Sequence, residues 1–245
     1  MNYVLDTHTH TIASGHAYNT MTEMMQAAVD KDLELLCITD HAPEMPGGPH
    51  LFYFSNSDMI DREYYQKKFG GKTKFLFGSE LNILEDGKID LPTSVLKKLD
   101  LTIASMHIPC ITSRSAKENT KTYLKVMENP YVTIIGHPDD GRYPVDMKEL
   151  VKGAKEYGKI LEVNNHSLDF RCTRTGAQEI DLEMLQLCME FQQPITVGSD
   201  AHIETEVGAH KFAYDLLKQV HFPEELVLNT SSERFMNFLT KKCYK

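Results

Sequence analysis

The sequence contains no apolar run that approaches the 18 or more residues needed for a membrane-spanning helix, and its longest runs have the length of strands. The residues before Asp6 include neither a basic segment nor an apolar stretch of signal-peptide length, so we expect no signal peptide. Its five cysteines form no C-x-x-C pair, and this indicates a reducing compartment, by default the cytoplasm. Two of these cysteines, Cys37 and Cys188, are predicted to pack in the core as small apolar side chains.

Positive charge is also scarce. Lys and Arg number 26 against 35 Asp and Glu, which gives a net charge of −9, and only six of the basic residues are arginines. A general nucleic-acid binder would carry a basic surface, so nucleic acid is an unlikely partner, whereas a small anion can still bind where local cations outweigh the overall charge. The chain has no G-x-S-x-G, G-x-x-x-x-G-K-[ST] or H-E-x-x-H motif and no G-x-G-x-x-G after a strand.

What the sequence does contain is a regular alternation of short β-rich runs and helical patterns. The runs start 27 to 39 residues apart, about one strand–helix unit per step. They cover residues 3–5, 35–39, 74–78, 101–104, 132–135, 159–163, 195–198 and 226–228. Seven or eight such units in 245 residues favour one closed α/β barrel, residues 1–245 forming a single domain, over an open doubly wound sheet.

Helix starts are visible between several of these runs. Thr20 and Glu23 are spaced as a capping box, and Asp146 and Glu149 have the same spacing at a second start. Further helical patterns follow Asp181 and cover residues 208–220. The segment 43–71, which is rich in aromatic residues and contains Gly-Gly pairs near both ends, is predicted to be a loop insertion.

Ligand-type side chains follow most of the predicted strands. Because the carboxyl ends of parallel strands meet on one face, we expect these side chains to converge there. The candidates are His8, His10, His16, His41, Glu80, His107, His137, Asp200 and His202. In His8-Thr-His10 both imidazoles point the same way, since the side-chain period of a strand is two. Nine ligands exceed the four to six that one divalent ion takes, so the pattern predicts two or three ions.

These motifs together resemble the PHP (polymerase and histidinol phosphatase) superfamily, and within it the short, stand-alone phosphatases of the YcdX type. The resemblance spans the whole chain and is carried by 8–18, Ile38-Thr-Asp-His41, Gly78-Ser-Glu-Leu-Asn82, His107, His137-Pro138 and Ser199-Asp-Ala-His202. It implies a distorted (β/α)7 barrel that holds a trinuclear metal cluster.

The resemblance also implies which residues hold each ion. One ion would be held by His8, His10, Glu80 and Asp200; a second by Glu80, His107 and His137; and the third by His16, His41 and His202. We expect three divalent ions per chain, Zn²⁺ first, with Mn²⁺ or Fe²⁺ as alternatives because nitrogen and oxygen ligands suit all three.

The expected activity is hydrolysis of a small phosphorylated metabolite, a phosphate monoester, by a hydroxide that bridges two ions and attacks phosphorus in line. Asp6, Asp40 and Asn165 are predicted to orient ligand imidazoles. For Asp40 two other roles stay open, as a metal ligand or as the acid that protonates the leaving alkoxide.

Substrate contacts are predicted from arginine and from one histidine. Arg171 and Arg174 follow the sixth strand, and Arg171 is expected to clamp the phosphate because a guanidinium forks onto phosphate oxygens. His50 and His166 lie where substrate could enter, whereas His210 and His221 are expected to have no ligand role. The segments 47–54 and 139–142 depart from the family pattern and leave the substrate's identity open.

Three other functions stay open as alternatives. They are a PHP-type phosphodiesterase or nuclease, a non-catalytic metal-dependent protein that binds a phosphorylated metabolite, and an amidohydrolase. The last is disfavoured because His107 stands at the fourth strand end, where that family usually has a carboxylated lysine. An oligomer is compatible with the sequence, which does not specify one.

Overall fold

The computed structural model describes residues 1–242, in which seven strands alternate with nine helices. The strands are β1 (Leu5–Asp6), β2 (Leu35–Ile38), β3 (Lys74–Asn82), β4 (Leu101–Ser105), β5 (Ile134–Ile135), β6 (Ile160–Asn164) and β7 (Ile195–Gly198). The helices are α1 (Met21–Asp30), α2 (Leu51–Ser55), α3 (Arg62–Lys68), α4 (Thr93–Leu96), α5 (Ala116–Met127), α6 (Met147–Glu156), α7 (Ala177–Phe191), α8 (Lys211–Gln219) and α9 (Ser232–Lys242).

The strands form one parallel sheet in the order β1 to β7, each paired with its neighbour in sequence. The two ends of the sheet meet just beyond β1 and β7, where Thr9 and Ala201 form a parallel bridge. The His10 N–H donates to the Ala201 carbonyl at 2.8 Å on the same seam. This nearly closed arrangement confirms the predicted distorted (β/α)7 barrel.

The predicted eighth β-rich run, residues 226–228, is not a strand. It lies in two short 3-10 turns, and only Val227 forms a single bridge, to Ile195. The Asn229 side chain then enters the seam between β1 and β7. Its Oδ1 accepts from the Val197 N–H at 2.6 Å, and its Nδ2 donates to the carbonyls of Leu5 at 3.0 Å and Val197 at 2.7 Å. A side-chain amide therefore satisfies backbone groups that another strand would have paired.

The helix predictions are confirmed in part. Thr20 and Glu23 form the expected capping box at α1, and Asp146 accepts from the Glu149 N–H at 3.0 Å at the start of α6. Helix α7 begins at Ala177, so Asp181 lies buried inside the helix and does not precede it. Helix α8 begins at Lys211, three residues later than the pattern suggested, and α5 and α9 occupy segments for which no helix was predicted.

The prediction of a loop insertion over 43–71 is wrong, because the segment contains α2 and α3. Both helices have side-chain caps. His50 Nδ1 accepts from the Phe52 N–H at 3.2 Å, and Asp61 accepts from the Tyr64 N–H at 2.8 Å. Helices this short give little periodicity in the sequence, and their stability comes from packing.

Two apolar clusters surround the sheet. One face of the strands packs against the outer helices, and Leu36 and Ile38 belong to this face. Residues on the opposite face, such as Leu35 and Cys37, pack together with Phe235 and Leu239 of α9, so this helix closes the end opposite to the strand carboxyl ends.

Cys37 and Cys188 are buried as predicted, and Cys243 lies outside the described residues. Within residues 1–242, no helix is long and apolar enough to span a bilayer.

Candidate metal centre

The nine predicted ligands converge at the carboxyl ends of the strands. They follow β1, β2, β4, β5 and β7, except that Glu80 lies inside the long strand β3. All are buried except His16, which is exposed, and His202, which is partly exposed. The barrel thus brings together side chains that are up to about 200 positions apart in sequence.

The Glu80 carboxylate is the centre of this cluster. Five imidazole nitrogens lie within 3.5 Å of its oxygens: those of His41 at 2.8 Å, His137 at 2.9 Å, His107 at 3.2 Å, His8 at 3.4 Å and His10 at 3.5 Å. Burial alone would raise the pKa of Glu80, but the imidazoles of His107, His8 and His41 hold it well below its usual value. The carboxylate is therefore ionised and can bridge two cations.

Asp200 completes one side of the cluster. Its Oδ1 lies 3.3 Å from His10 Nε2 and 3.6 Å from His8 Nε2, while its Oδ2 accepts from Arg174 at 3.0 Å and from Asn164 at 3.2 Å. Burial opposes ionisation, yet His8 and Arg174 hold the pKa of Asp200 well below its usual value. Oδ1 of Asp200 therefore faces the imidazoles of His8 and His10, while Oδ2 is held by hydrogen bonds from Arg174 and Asn164.

Three overlapping groups bring their ligand atoms within 4.8 Å of one another. They are His8, His10 and Asp200; His41, Glu80 and His107; and His10, His41 and His202. His16 adjoins the last group, with its Nε2 at 2.9 Å from His202 Nε2. Each group shares at least two members with one of the three ligand sets implied by the family resemblance.

The protonation of the imidazoles suits a metal. Burial lowers the pKa of His10, His107 and His202, and partial desolvation together with the neighbouring His202 and His41 lowers the pKa of His16. These rings are therefore neutral near pH 7, and their lone pairs are free to bind a cation. His8 differs, because Glu162, Glu80 and Asp200 outweigh its burial and raise its pKa well above the usual value. A cation would take the place of that proton.

Several buried polar atoms here make no hydrogen bond within residues 1–242. They are His8 Nε2, His10 Nε2, His41 Nδ1, His107 Nε2 and Glu80 Oε2. Each buried polar atom without a hydrogen bond costs about 1–3 kcal/mol of stability. Five such atoms in one place therefore indicate a common partner. Divalent cations would satisfy all of them, and the residues therefore fit a multinuclear metal site.

A protein-family model described as the PHP domain matches residues 6–171. The chain belongs to the PHP domain family.

Curated relatives of this PHP chain match it over nearly its full length. A protein named as a probable phosphatase from Caldanaerobacter subterraneus subsp. tengcongensis is 47% identical, over 99% of this chain and 93% of the relative. Another with that name, from Acetivibrio thermocellus, is 42% identical over 99% of this chain and 97% of its own.

Two solved structures share the PHP chain's fold. Histidinol phosphate phosphatase from Lactococcus lactis subsp. lactis, complexed with Zn, L-histidinol and phosphate, aligns with a TM-score of 0.66 at 20% identity, covering 90% of this chain and 95% of that one. A chain of archaeal ribonuclease P with mature tRNA aligns with a TM-score of 0.58 at 16% identity, covering 98% and 89%.

In this PHP domain Asp40 is fully buried and saturated with donors. It accepts from the Thr11 N–H at 2.7 Å and the Thr11 hydroxyl at 2.8 Å, from Ser14 Oγ at 2.7 Å and from Tyr53 OH at 2.6 Å. Among the described residues its carboxylate bonds to no ligand imidazole directly. It reaches His10 through Ser14, whose Oγ lies 3.1 Å from His10 Nδ1. This geometry favours an orienting role over ligation or acid catalysis.

Asp6 and Asn165 were predicted to orient ligand imidazoles, and this prediction is wrong. Asp6 accepts from the Gly208 N–H at 2.8 Å and the Ser199 N–H at 3.1 Å, and it lies 3.6 Å from the buried His210 ring. Asn165 accepts from two backbone N–H groups in the first turn of α8, at 2.9 and 3.1 Å. Both side chains satisfy loop and helix-end backbone, which competes for polar residues at strand ends.

Two side chains that bond the rings of predicted ligands were not predicted from the sequence. Glu162 Oε1 lies 2.8 Å from His8 Nδ1, and Asn82 Oδ1 lies 2.8 Å from His107 Nδ1. The available signal was a single acid, Glu162, inside the apolar run 159–163, since a buried charge in a strand needs a partner.

A cavity of about 370 Å³ opens beside the cluster. Its wall includes five of the predicted ligands, three arginines and His166. The predicted ligands are His16, His41, His107, Asp200 and His202, and the arginines are Arg142, Arg171 and Arg174. His50 is absent from the described residues that line it and instead caps α2. The structure therefore brings the predicted arginines, but not His50, to the opening of the site.

The arginines differ in how they are held. Arg174 is largely buried and fixed on Asp200. Arg171, whose side chain is 59% exposed, chelates Asp169 and also bonds Glu206 at 3.1 Å. Arg142, which the sequence analysis did not select, chelates Asp140 in the same way, with Nε at 2.8 Å and Nη2 at 2.6 Å. Two Asp-x-Arg turns thus hold guanidinium groups at the cavity.

Proposed function

We propose that residues 1–245 form one PHP-type hydrolase domain that removes phosphate from a small phosphate monoester with the help of three divalent cations. The observation that carries this proposal is the crowding of five imidazole nitrogens around the ionised Glu80 carboxylate. Curated relatives that match nearly the whole chain are named probable phosphatases, which favours phosphoester hydrolysis over other chemistry of a metal-dependent barrel.

The proposed ligand sets are those implied by the family. Glu80 would bridge two ions, one shared with His8, His10 and Asp200 and the other with His107 and His137. The third ion would be held by His16, His41 and His202. The three overlapping groups of ligand atoms support this division. Zn²⁺ is the first candidate because imidazole and carboxylate suit it, and the related histidinol phosphate phosphatase contains Zn.

Charge explains how an acidic protein would attract a phosphate dianion. Three divalent ions bring +6 and the two carboxylates −2, so the centre would carry about +4 with neutral imidazoles. When bound, such ions would lower the pKa of water to about 7 and offset charge on the phosphoryl oxygens. The chain's own residues would hold the ions and orient the substrate. Glu80 and Asp200 would bind the ions, and Arg142 and Arg171 would contact substrate oxygens.

The cavity and the net charge together indicate the substrate size. A volume of about 370 Å³ lies at the small end of the range for sites that take small molecules. The net charge of −9 disfavours a long polyanion. A small phosphorylated metabolite fits both observations, whereas a nucleic-acid chain fits neither.

The experiment compares wild-type protein with Glu80→Gln after metal removal and reconstitution with Zn²⁺, Mn²⁺ or Fe²⁺. We expect three ions per chain by elemental analysis, and turnover of p-nitrophenyl phosphate well above that of bis-p-nitrophenyl phosphate. We expect kcat to fall at least 10²-fold in Glu80→Gln, because the change removes the negative charge proposed to bind two ions, and loss of one electrostatic contact in an active site costs about that much. Glu183→Gln, the same change on the exposed face of α7, is the matched control. Full activity in chelated protein, or a preference for the diester, would overturn the proposal.

A further inference from the structure

Glu162 is a fully buried acid in the middle of β6, on the face that points to the metal centre. Its Oε1 lies 2.8 Å from His8 Nδ1. Its Oε2 accepts from the His137 N–H at 2.9 Å and from Asn164 Nδ2 at 3.2 Å. One carboxylate therefore touches two proposed ligands, one through its ring and the other through its backbone.

The neighbouring strand leaves room for this carboxylate. A Cβ atom on Gly198, the last residue of β7, would lie 2.0 Å from Glu162 Oε1 and 2.8 Å from the His8 Cβ. Any side chain at 198 would displace the acid from the imidazole. Glycine weakens a strand, so its presence here is explained by this close approach.

The hydrogen bond to His8 determines which ring nitrogen is free. A carboxylate only accepts, so His8 Nδ1 must carry a proton, and in the neutral ring the Nε2 lone pair is then free. That nitrogen lies 3.4 Å from Glu80 and 3.6 Å from Asp200, which places it inside the cluster. Ligating histidines commonly donate their other N–H to a carboxylate, which orients the ring.

The second oxygen of Glu162, Oε2, bonds the backbone of His137 in an unusual conformation. His137 has a φ of 29°, in the left-handed region that non-glycine residues rarely adopt. The bond from its N–H to Glu162 Oε2 stabilises this conformation, which brings the ring nitrogen Nε2 to 2.9 Å from Glu80.

We propose that Glu162 is a positioning residue that sets the tautomer of His8 and the backbone of His137 together, so that one carboxylate prepares ligands of two different ions. This inference rests on the proposed metal centre. It requires that both oxygens accept hydrogen bonds, a property that a carboxylate has and an amide does not.

Glu162→Gln tests this requirement because it preserves the shape and replaces one acceptor by a donor. If the amide oxygen faces His137, the NH₂ group faces His8 Nδ1, and the proton of His8 moves to Nε2, where it blocks ligation. If the amide is turned round, two donors meet at the His137 N–H. Either way we expect divalent-ion affinity to fall about 10- to 100-fold, the usual loss for a residue that orients a ligand.

The measurement is a Zn²⁺ titration against a competing chelator, together with ¹⁵N NMR of the His8 ring in metal-free protein at a pH high enough for that ring to be neutral. Asp181→Asn is the matched control, because Asp181 is also fully buried and its oxygens have no hydrogen-bond partner in the part of the chain that the structure describes. The amide oxygen of Glu162→Gln should face the two donors, the His137 N–H and Asn164 Nδ2, which turns its NH₂ group towards His8. We therefore expect weaker binding and an Nε2–H tautomer in Glu162→Gln, and wild-type behaviour in Asp181→Asn. Unchanged affinity and an Nδ1–H tautomer in Glu162→Gln would overturn the inference, and so would an equal loss in Asp181→Asn.

Gly198→Ala provides a second route if Glu162→Gln does not fold. It keeps the carboxylate but pushes it from His8, so it should reproduce the loss of affinity and the change of tautomer, and a wild-type result would count against the inference. If wild-type protein binds no ions, the proposed function fails, whereas the NMR measurement on metal-free protein still decides the tautomer.

Discussion

The hydroxyl of Ser14 donates a hydrogen bond of 2.7 Å to Asp40 and is thereby fixed with its lone pairs towards two proposed ligands. It accepts from the His41 N–H at 3.1 Å and lies 3.1 Å from His10 Nδ1. Asp40 therefore acts on His10 at one remove, through a hydroxyl whose rotation it controls.

This relationship predicts that Asp40→Asn lowers the activity only slightly. The amide oxygen can still accept from Ser14 and the Thr11 N–H, and the hydroxyls that face the NH₂ group can turn to accept from it. We expect kcat/KM to fall less than about tenfold, and equally for p-nitrophenyl phosphate and for an alkyl phosphate. If Asp40 instead protonated the leaving group, the alkyl phosphate, which has a poor leaving group, would suffer far more. Ser14→Ala, which removes the relay, should weaken metal binding although it leaves Asp40 in place.

Metal removal should change stability as well as activity. Ions that bind only the folded protein stabilise it by about 2.7 kcal/mol at a free concentration of 100 times Kd. We expect that gain in the free energy of unfolding when Zn²⁺ is added to chelated protein, measured by urea denaturation. The Glu80→Gln variant should show a much smaller gain at the same Zn²⁺ concentration. An equal gain in both proteins would place the bound ions elsewhere.

The barrel and the convergence of ligands could be predicted because they follow from periodicity alone. Strand-length runs at strand–helix spacing imply a parallel sheet, and parallel strands bring their carboxyl ends together. The positions of His8, Glu80 and Asp200 on one face therefore needed no knowledge of loops.

The supporting residues could not be predicted in the same way. Both faces of a barrel strand are buried, so alternation does not reveal that Glu162 points inwards. Asp40 and Asn165 each follow a strand. Asp40 bonds Ser14 beside the proposed metal centre, whereas Asn165 caps α8, and the course of the loop decides which role each takes. The run 226–228 has strand composition, but only the packing of Asn229 in the seam shows why it is not one.

The two arginines after β6 should respond differently to removal. The Arg171 side chain is 59% exposed, so solvent screens its ion pairs with the buried Asp169 and with Glu206, and such pairs contribute little to stability. We expect Arg171→Ala to raise KM for p-nitrophenyl phosphate severalfold with stability unchanged. Arg174→Ala should destabilise the protein by about 3 kcal/mol because it leaves the buried Asp200 without its cation. Steady-state kinetics and urea denaturation measure both, and an unchanged kcat/KM in Arg171→Ala would remove it from substrate binding.

The seam of the barrel depends on one amide. Asn229 pairs with the N–H and carbonyl of Val197 and with the carbonyl of Leu5, all in a fully buried region. Asn229→Leu has similar volume but leaves these backbone groups without that partner, and each costs about 1–3 kcal/mol. We expect the free energy of unfolding to fall by at least about 3 kcal/mol in urea denaturation. Asn237→Leu, on the exposed side of α9, is the control and should change stability by less than about 0.5 kcal/mol. A loss in Asn229→Leu no larger than that of the control would show that β1 and β7 hold together without the amide.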